Sequence, residues 1–183
     1  MRALILVLVL TLVCSGAALA QDCVIGVFSD PLGQSPPWYW PADGTVFSLY
    51  VVLFAEDTVA AAAYSMTYPQ GPSGMFLQAR FSGPSGSGLV IDEPTGTNVA
   101  LGECVIGFGN SPVLIDEWMF VVFPGYSDGF VTLGPNTSQH PDFPQYVTCN
   151  DLKRDCIADD DFYVGIVSTE STSFGAIKAL FGN

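Results

Sequence analysis

The sequence predicts an all-β protein, a two-sheet antiparallel β-sandwich that is stapled by disulfide bonds. Three observations lead to this prediction. Glycine and proline supply 32 of 183 residues, and Val, Phe, Tyr and Thr are abundant, as is typical of short strands joined by tight turns. Apolar runs alternate with turn-forming clusters, and no stretch has the pattern of a long helix. Four cysteines follow an export signal, and an even number in that setting indicates disulfides.

The first 20 residues form a predicted Sec-type signal peptide. Arg2 precedes an unbroken apolar run over 3–13, and the small residues at 18–20 fit the A-x-A rule for cleavage before Gln21. The run is shorter than the about 20 apolar residues that span a bilayer. The sequence therefore predicts secretion, to the periplasm or the exterior, of a mature chain 21–183 that forms one domain.

The charge balance limits the partners of the mature chain. The net charge is −13 for the full sequence and −14 for the mature chain, which lacks Arg2 of the signal peptide. Nucleic acid is excluded as a partner because its phosphates require a basic patch, and anionic lipid surfaces are disfavoured. No second long apolar segment follows, so no membrane span is expected.

The first half of the mature chain contains three predicted strands. The first covers 23–28 and is followed by a Pro- and aromatic-rich loop. The strand 45–55 is apolar on both faces at its end, so we expect it in the centre of a sheet. The segment 60–68 begins with alanines, but large side chains at 64, 66 and 68 alternate with hydroxyl residues, which favours a strand over a helix.

The second half continues with short strands between turn signals. They are predicted at 75–81, 88–91, 102–108, 112–123, 129–134, 145–149 and 161–168. The tail 172–183 fits either a short helix or a final strand. Eight to ten short strands without a linker indicate one sandwich.

The four cysteines of the mature chain are predicted to form two disulfide bonds. Cys149 and Cys156 flank a polar loop that can close on itself, which leaves Cys23 to pair with Cys104. The stretch C-V-I-G begins at both Cys23 and Cys104, and this pairing makes the two copies neighbouring strands. A zinc site is disfavoured because the C-x-x-C spacing is absent.

The order of strands resembles that of cohesin-type and related carbohydrate-binding-type sandwiches. The stretches that carry the resemblance are "TVFSLYVVL", "VAAAAYSMTY" and "WMFVVFPGYSDGFVTLG". The ends "IGVFSDPLG" and "TSFGAIKALFG" are similar to those of uncharacterised exported bacterial sandwich proteins. The resemblance implies a cohesin-like or Ig-like sandwich and a binding role, and it assigns no functional residue.

The loop "PPWYWP" at 36–41 is the first candidate site. In an extended segment Trp38 and Trp40 point to the same side, and with Tyr39 they form a candidate ligand-binding surface for sugar rings or a protein. The alternative is that these rings cap one end of the core. The sequence leaves both interpretations open.

A second candidate is the acidic run Asp155, Asp159, Asp160 and Asp161, a weak candidate for calcium. Calcium takes six to eight oxygen ligands, but the run lacks the spacing of an EF-hand, and a solvated acidic turn is the favoured interpretation. No cofactor is expected.

Candidate catalytic residues are few. His140 is the single histidine and lies in a loop, and no G-x-S-x-G or H-E-x-x-H motif is present. Asp116 and Glu117 are adjacent in a strand, so they face opposite sides and cannot flank one glycosidic bond. The sequence therefore predicts an exported, non-catalytic binding or structural and adhesion module, with a carbohydrate or a protein at the cell surface as partner. A secreted, glycan-directed hydrolase is the alternative.

Overall fold

The computed structural model of the chain describes residues 23–42, 44–71, 73–107, 111–123, 126–159 and 161–165. The predicted signal peptide, Asp160 and the tail 172–183 lie outside these residues. Among the described residues every regular element is a β-strand, and none is a helix long and apolar enough to cross a membrane.

The strands are numbered β1 to β13 along the chain. Their bounds are β1 Cys23–Phe28, β2 Trp38–Tyr39, β3 Val46–Ala55, β4 Thr58–Thr67, β5 Met75–Ser82, β6 Leu89–Glu93, β7 Gly96–Ile106, β8 Pro112–Val122, β9 Gly129–Gly134, β10 Gln145–Val147, β11 Lys153–Asp155, β12 Ile157–Ala158 and β13 Phe162–Val164. The segment that starts with alanines is the strand β4, as the alternation of its side chains predicts.

Two sheets pack face to face and confirm the predicted sandwich. The five-stranded sheet has the order β12-β1-β3-β8-β5, and the eight-stranded sheet contains β11-β10-β4-β9-β13-β2, with β7 paired to β4 and β6 paired to β7. Most neighbours are antiparallel, but β1 pairs with β12 and β13 pairs with β2 in parallel. Both sheets are therefore mixed at one edge.

The core lies between the sheets. Leu49, Val51 and Leu53 of β3 and Phe120 of β8 are fully or almost fully buried in it. They face residues of the other sheet that are equally buried, among them Tyr64 of β4. The strand predicted to be central, β3, has β1 on one side and β8 on the other, so the backbone hydrogen-bonding groups along both of its edges are paired.

The disulfide pairing predicted from spacing is wrong. The bonds are Cys23–Cys156 and Cys104–Cys149, with Cα–Cα distances of 4.7 and 5.8 Å. Cys156 directly precedes β12, which runs parallel beside β1 and so brings Cys156 to Cys23. Cys149 donates its backbone N–H to Thr58, which pairs with β7 near Cys104.

The two copies of C-V-I-G consequently lie in different sheets. The first is in β1 of the five-stranded sheet, and the second ends β7 in the eight-stranded sheet. Because the bonds close sequence separations of 133 and 45 residues, chain entropy assigns them about 5 and about 4 kcal/mol of stabilisation.

Candidate functional site

The loop predicted at 36–41 contains an edge strand. Trp38 and Tyr39 form β2, which pairs with Tyr163 and Val164 of β13. Backbone hydrogen bonds run from the N–H of Tyr163 to the carbonyl of Pro37 and from the N–H of Gly165 to the carbonyl of Tyr39, both at 2.9 Å. This pairing fixes the segment at the edge of the eight-stranded sheet.

The three aromatic residues of this segment divide between the core and the surface. Tyr39 is half-buried and its ring lies 5.4 Å from that of the core residue Phe47. Trp38 and Trp40 point outward and keep 51% and 44% of their surface exposed. Tyr39 thus contributes to the core, while the two tryptophans are available for contact.

Two more aromatic side chains join the tryptophans on the outer face of the sheet. Tyr163 is paired with Trp38 on one side and with Phe130 of β9 on the other, and cross-strand partners project to the same face. The ring of Tyr163 lies 5.5 Å from that of Trp40 and 5.3 Å from that of Phe130. Phe130 is 55% exposed. We call Trp38, Trp40, Phe130 and Tyr163 the aromatic patch.

Local contacts hold the aromatic patch in place. The ring of Trp40 lies against Gly165, where an added Cβ would come within 2.2 Å of the ring, so glycine at this position permits the close approach. The hydroxyl of Tyr163 donates a hydrogen bond to Oδ2 of Asp128 at 2.8 Å. This hydrogen bond raises the pKa of Tyr163 and places one carboxylate at the border of the patch.

The rings of the aromatic patch are not coplanar. The planes of Trp40 and Tyr163 meet at 70°, and those of Phe130 and Tyr163 at 59°. Edge-to-face arrangements of this kind are the favoured geometry of aromatic clusters. The patch is therefore an uneven apolar surface with a carboxylate beside it, and its rings do not form one flat platform.

The acidic run is spread over several elements. Asp155 lies in β11 and accepts a hydrogen bond from Gln145 at 2.7 Å, and Asp159 donates its backbone N–H to the carbonyl of Ile25. Asp155, Asp159 and Asp161 are exposed. No group of three metal-ligating side chains occurs within the described part of the chain, and the interpretation as a solvated turn stays a prediction.

His140 and Glu117 have structural contacts. Nδ1 of His140 accepts the backbone N–H groups of Asp142 and Phe143, both at 3.2 Å, so the imidazole fixes the turn that follows it. Glu117 lies on the outer face of the five-stranded sheet and accepts a hydrogen bond from Ser48 at 2.6 Å. Its neighbour Asp116 is fully buried on the opposite face.

Asp116 is the centre of a buried polar network that the sequence analysis does not identify. Its carboxylate accepts hydrogen bonds from Tyr64 at 2.6 Å, Ser82 at 2.7 Å and Nε of Arg80 at 2.5 Å. Burial raises the pKa of the Tyr64 phenol well above its usual range, so Tyr64 stays protonated and donates. The network connects β4 of one sheet with β5 and β8 of the other.

The two mixed sheets with this strand order form a cohesin-like β-sandwich. No family model matches the sequence, and no curated protein matches it either. Among solved structures, a non-cellulosomal cohesin from the archaeon Archaeoglobus fulgidus is similar over 84% of this chain and 97% of its own, with 14% identity and a TM-score of 0.55.

Two further structures show the same fold. The cohesin CaCohA2 from Clostridium acetobutylicum covers 84% of this chain and 96% of its own, with 12% identity and a TM-score of 0.52. A cohesin–dockerin complex from Clostridium thermocellum covers 79% of this chain and 99% of the matching one, with 11% identity and a TM-score of 0.50. At these identities the likeness establishes the fold.

Proposed function

We propose that the chain is an exported, non-catalytic module that binds a protein partner through the aromatic patch. The observation that carries the proposal is the cluster of Trp38, Trp40, Phe130 and Tyr163 at the edge of the eight-stranded sheet, in which three of the side chains are about half exposed. Trp and Tyr are the residues most enriched among energetic hot spots of protein interfaces. Rings fixed by a sheet also lose little conformational entropy when they are covered.

The geometry favours a protein over a polysaccharide chain at this patch. Several rings that present one flat surface can stack along a sugar chain together, whereas the planes here are inclined by 59° to 70°. A protein surface can interdigitate with inclined rings because its side chains adapt to them. The similar structure from Clostridium thermocellum is a cohesin bound to a dockerin, so in that protein the sandwich serves protein association.

Charge indicates the kind of partner. The chain has a net charge of −13, and Asp128 lies beside the aromatic patch. A partner with a basic rim around an apolar centre would be attracted over long distance and would place its cations over the rings. A hydrolase has less support among the described residues, since His140 fixes a turn and Asp116 is fully engaged.

The test is capture of a binding partner from the source organism's secreted and envelope fractions, with the disulfides intact. The bait is the wild type or the double variant Trp38→Ala/Trp40→Ala, and the control is Leu152→Ala, which removes a side chain of similar exposure (54%) from the turn between β10 and β11. We expect the double variant to bind the captured protein at least about tenfold more weakly, as loss of hot-spot tryptophans does. The proposal is contradicted if Trp38→Ala/Trp40→Ala and Leu152→Ala bind the captured protein equally well. It is also contradicted if the tryptophans instead make the protein bind to insoluble polysaccharide.

A further inference from the structure

A cleft opens on the side of the sandwich between β5 of one sheet and the β6–β7 hairpin of the other. Its volume is about 400 Å³, within the range of about 300–1,000 Å³ that is common for small-molecule sites. We call it the Arg80 cleft. The residues that matter for its chemistry are Tyr68, Gln70, Leu77, Arg80, Asp92 and Trp118.

The floor of the Arg80 cleft is rigid and electrically balanced. The guanidinium of Arg80 lies 4.2 Å above the ring of Trp118. Its nitrogens contact the buried Asp116 on one side and Oδ1 of Asp92, at 2.7 Å, on the other. Because two carboxylates offset the single cation, the floor offers no net positive charge to an anionic ligand.

One wall is an aromatic ring that is already fixed in position. Tyr68 is half-buried, and its ring makes edge contacts with those of Trp118 and Phe120 at 6.2 and 5.0 Å. Burial raises the pKa of the Tyr68 phenol, so the hydroxyl remains a donor at neutral pH. No hydrogen bond to this hydroxyl occurs among the described residues, which leaves it available.

The rim supplies further polar groups. Among the described residues, Asp92 accepts hydrogen bonds from Arg80 and Thr97 on Oδ1. Its side chain is 67% exposed, so Oδ2 can accept a hydrogen bond from a ligand. The exposed amide of Gln70 borders the same opening and provides both a donor and an acceptor. The cleft thus combines a ring for stacking with neutral and acidic hydrogen-bonding groups.

From this geometry we propose that the Arg80 cleft binds a neutral, hydroxyl-rich ring, that is, one or two units of a neutral saccharide. The C–H face of the ring packs against Tyr68 and Leu77, and its hydroxyls reach Gln70, Oδ2 of Asp92 and the Tyr68 hydroxyl. This site lies apart from the aromatic patch and is independent of the protein partner proposed for it.

The test follows the three indole N–H resonances of the protein in ¹H–¹⁵N NMR spectra. Trp118 lines the Arg80 cleft, and Trp38 and Trp40 belong to the aromatic patch. The probes are cellobiose, xylobiose, maltose and chitobiose, each titrated to about 20 mM, which detects dissociation constants near 1 mM. We expect at least one of them to give a saturable shift of the Trp118 signal.

Variants of the cleft identify the contacts. Gln70→Ala and Tyr68→Phe remove one hydrogen-bonding group each without touching the core, and each should weaken that saccharide at least about fivefold. The double variant Trp38→Ala/Trp40→Ala should bind it as the wild type does. If all four probes leave Trp118 unshifted, if they shift only the patch tryptophans, or if the cleft variants bind as tightly as the wild type, the proposal is wrong. In the capture experiment, Trp38→Ala/Trp40→Ala is the variant that should lose the protein partner. Failure of the saccharide proposal is therefore distinguishable from failure of the protein-binding proposal.

Discussion

Removing the carboxylate of Asp116 should destabilise the sandwich more than removing any exposed acid. Asp116 is 0% exposed and offsets the charge of Arg80. In Asp116→Ala, the carboxylate that remains beside Arg80 among the described residues is that of Asp92, whose side chain is 67% exposed, and the hydroxyls of Tyr64 and Ser82 lose their acceptor. Breaking a buried ion pair from one side costs about 3–5 kcal/mol, and we expect a loss in the free energy of unfolding of that size.

The adjacent acid is the control for this experiment. Glu117 lies on the partly exposed outer face, where it accepts a hydrogen bond from Ser48, so Glu117→Ala should cost about 1 kcal/mol or less. Guanidinium chloride unfolding with the disulfides intact gives both values, and an unchanged m-value shows that the denatured state is the same. A loss below about 1 kcal/mol for Asp116→Ala would refute the argument that this network connects the sheets.

A double-mutant cycle shows whether Arg80 and Asp116 act as a pair. Replacing both with apolar residues, as Arg80→Met with Asp116→Leu, removes the cation together with the carboxylate that compensates it. The double variant should therefore lose clearly less than the sum of the single losses, with a coupling energy of about 1.5–3 kcal/mol. Additive losses would show that the contact contributes no coupling.

Three further predictions concern the disulfides, the tyrosines and the patch. Cys104 is exposed, whereas Cys23 and Cys156 are almost fully buried, so a mild reductant should cleave the Cys104–Cys149 bond first. Alkylation of the freed thiols followed by peptide mapping measures the order, and simultaneous reduction of both bonds would contradict this prediction. Burial first, and then the charge of Asp128, raises the pKa of Tyr126 to about 12. The contribution of protonated Tyr126 to stability is therefore complete below about pH 10 and is lost as the pH rises toward 12. Denaturation midpoints measured at several alkaline pH values should fall less steeply with rising pH in Tyr126→Phe than in the wild type. Because Trp38 and Trp40 are about half exposed, Trp38→Ala/Trp40→Ala should cost about 1–3 kcal/mol in total, against about 3–5 for each fully buried tryptophan; a larger loss would assign both rings to the core.

The long strands are predictable from the sequence because their side chains alternate within each strand. In β4, for example, alternation from Tyr64 onward outweighs the helix propensity of the alanines before it. The short strands β2, β11 and β12 contain two or three residues each. Such segments are too short for a periodic signal, and only a neighbouring strand makes them strands.

The disulfide pairing shows a limit of local reasoning. Cys149 and Cys156 are close in sequence, but the chain between them contains the strand β11 in one sheet and leads to β12 in the other. The seven-residue separation therefore spans the sandwich. Parallel pairing of β12 with β1, which determines the position of Cys156, leaves no local mark in the sequence.

The candidate sites were predictable in part. Alternation places Trp38 and Trp40 on one side of an extended segment, and both are about half exposed in the structure. Phe130 and Tyr163 join them only through strand pairing, although Tyr163 between the buried Phe162 and Val164 has the alternation of an outward residue. The acid Asp116 within an apolar run was the available signal for the buried network.

Binding of a protein partner through the aromatic patch is the central claim, and the indole spectrum tests it most directly. Trp38, Trp40 and Trp118 are the three tryptophans of the chain, and each contributes one indole N–H signal. On addition of the captured partner, we expect the signals of Trp38 and Trp40 to shift or broaden in proportion to complex formation while that of Trp118 keeps its position. A complex that leaves both patch signals unchanged would contradict the account.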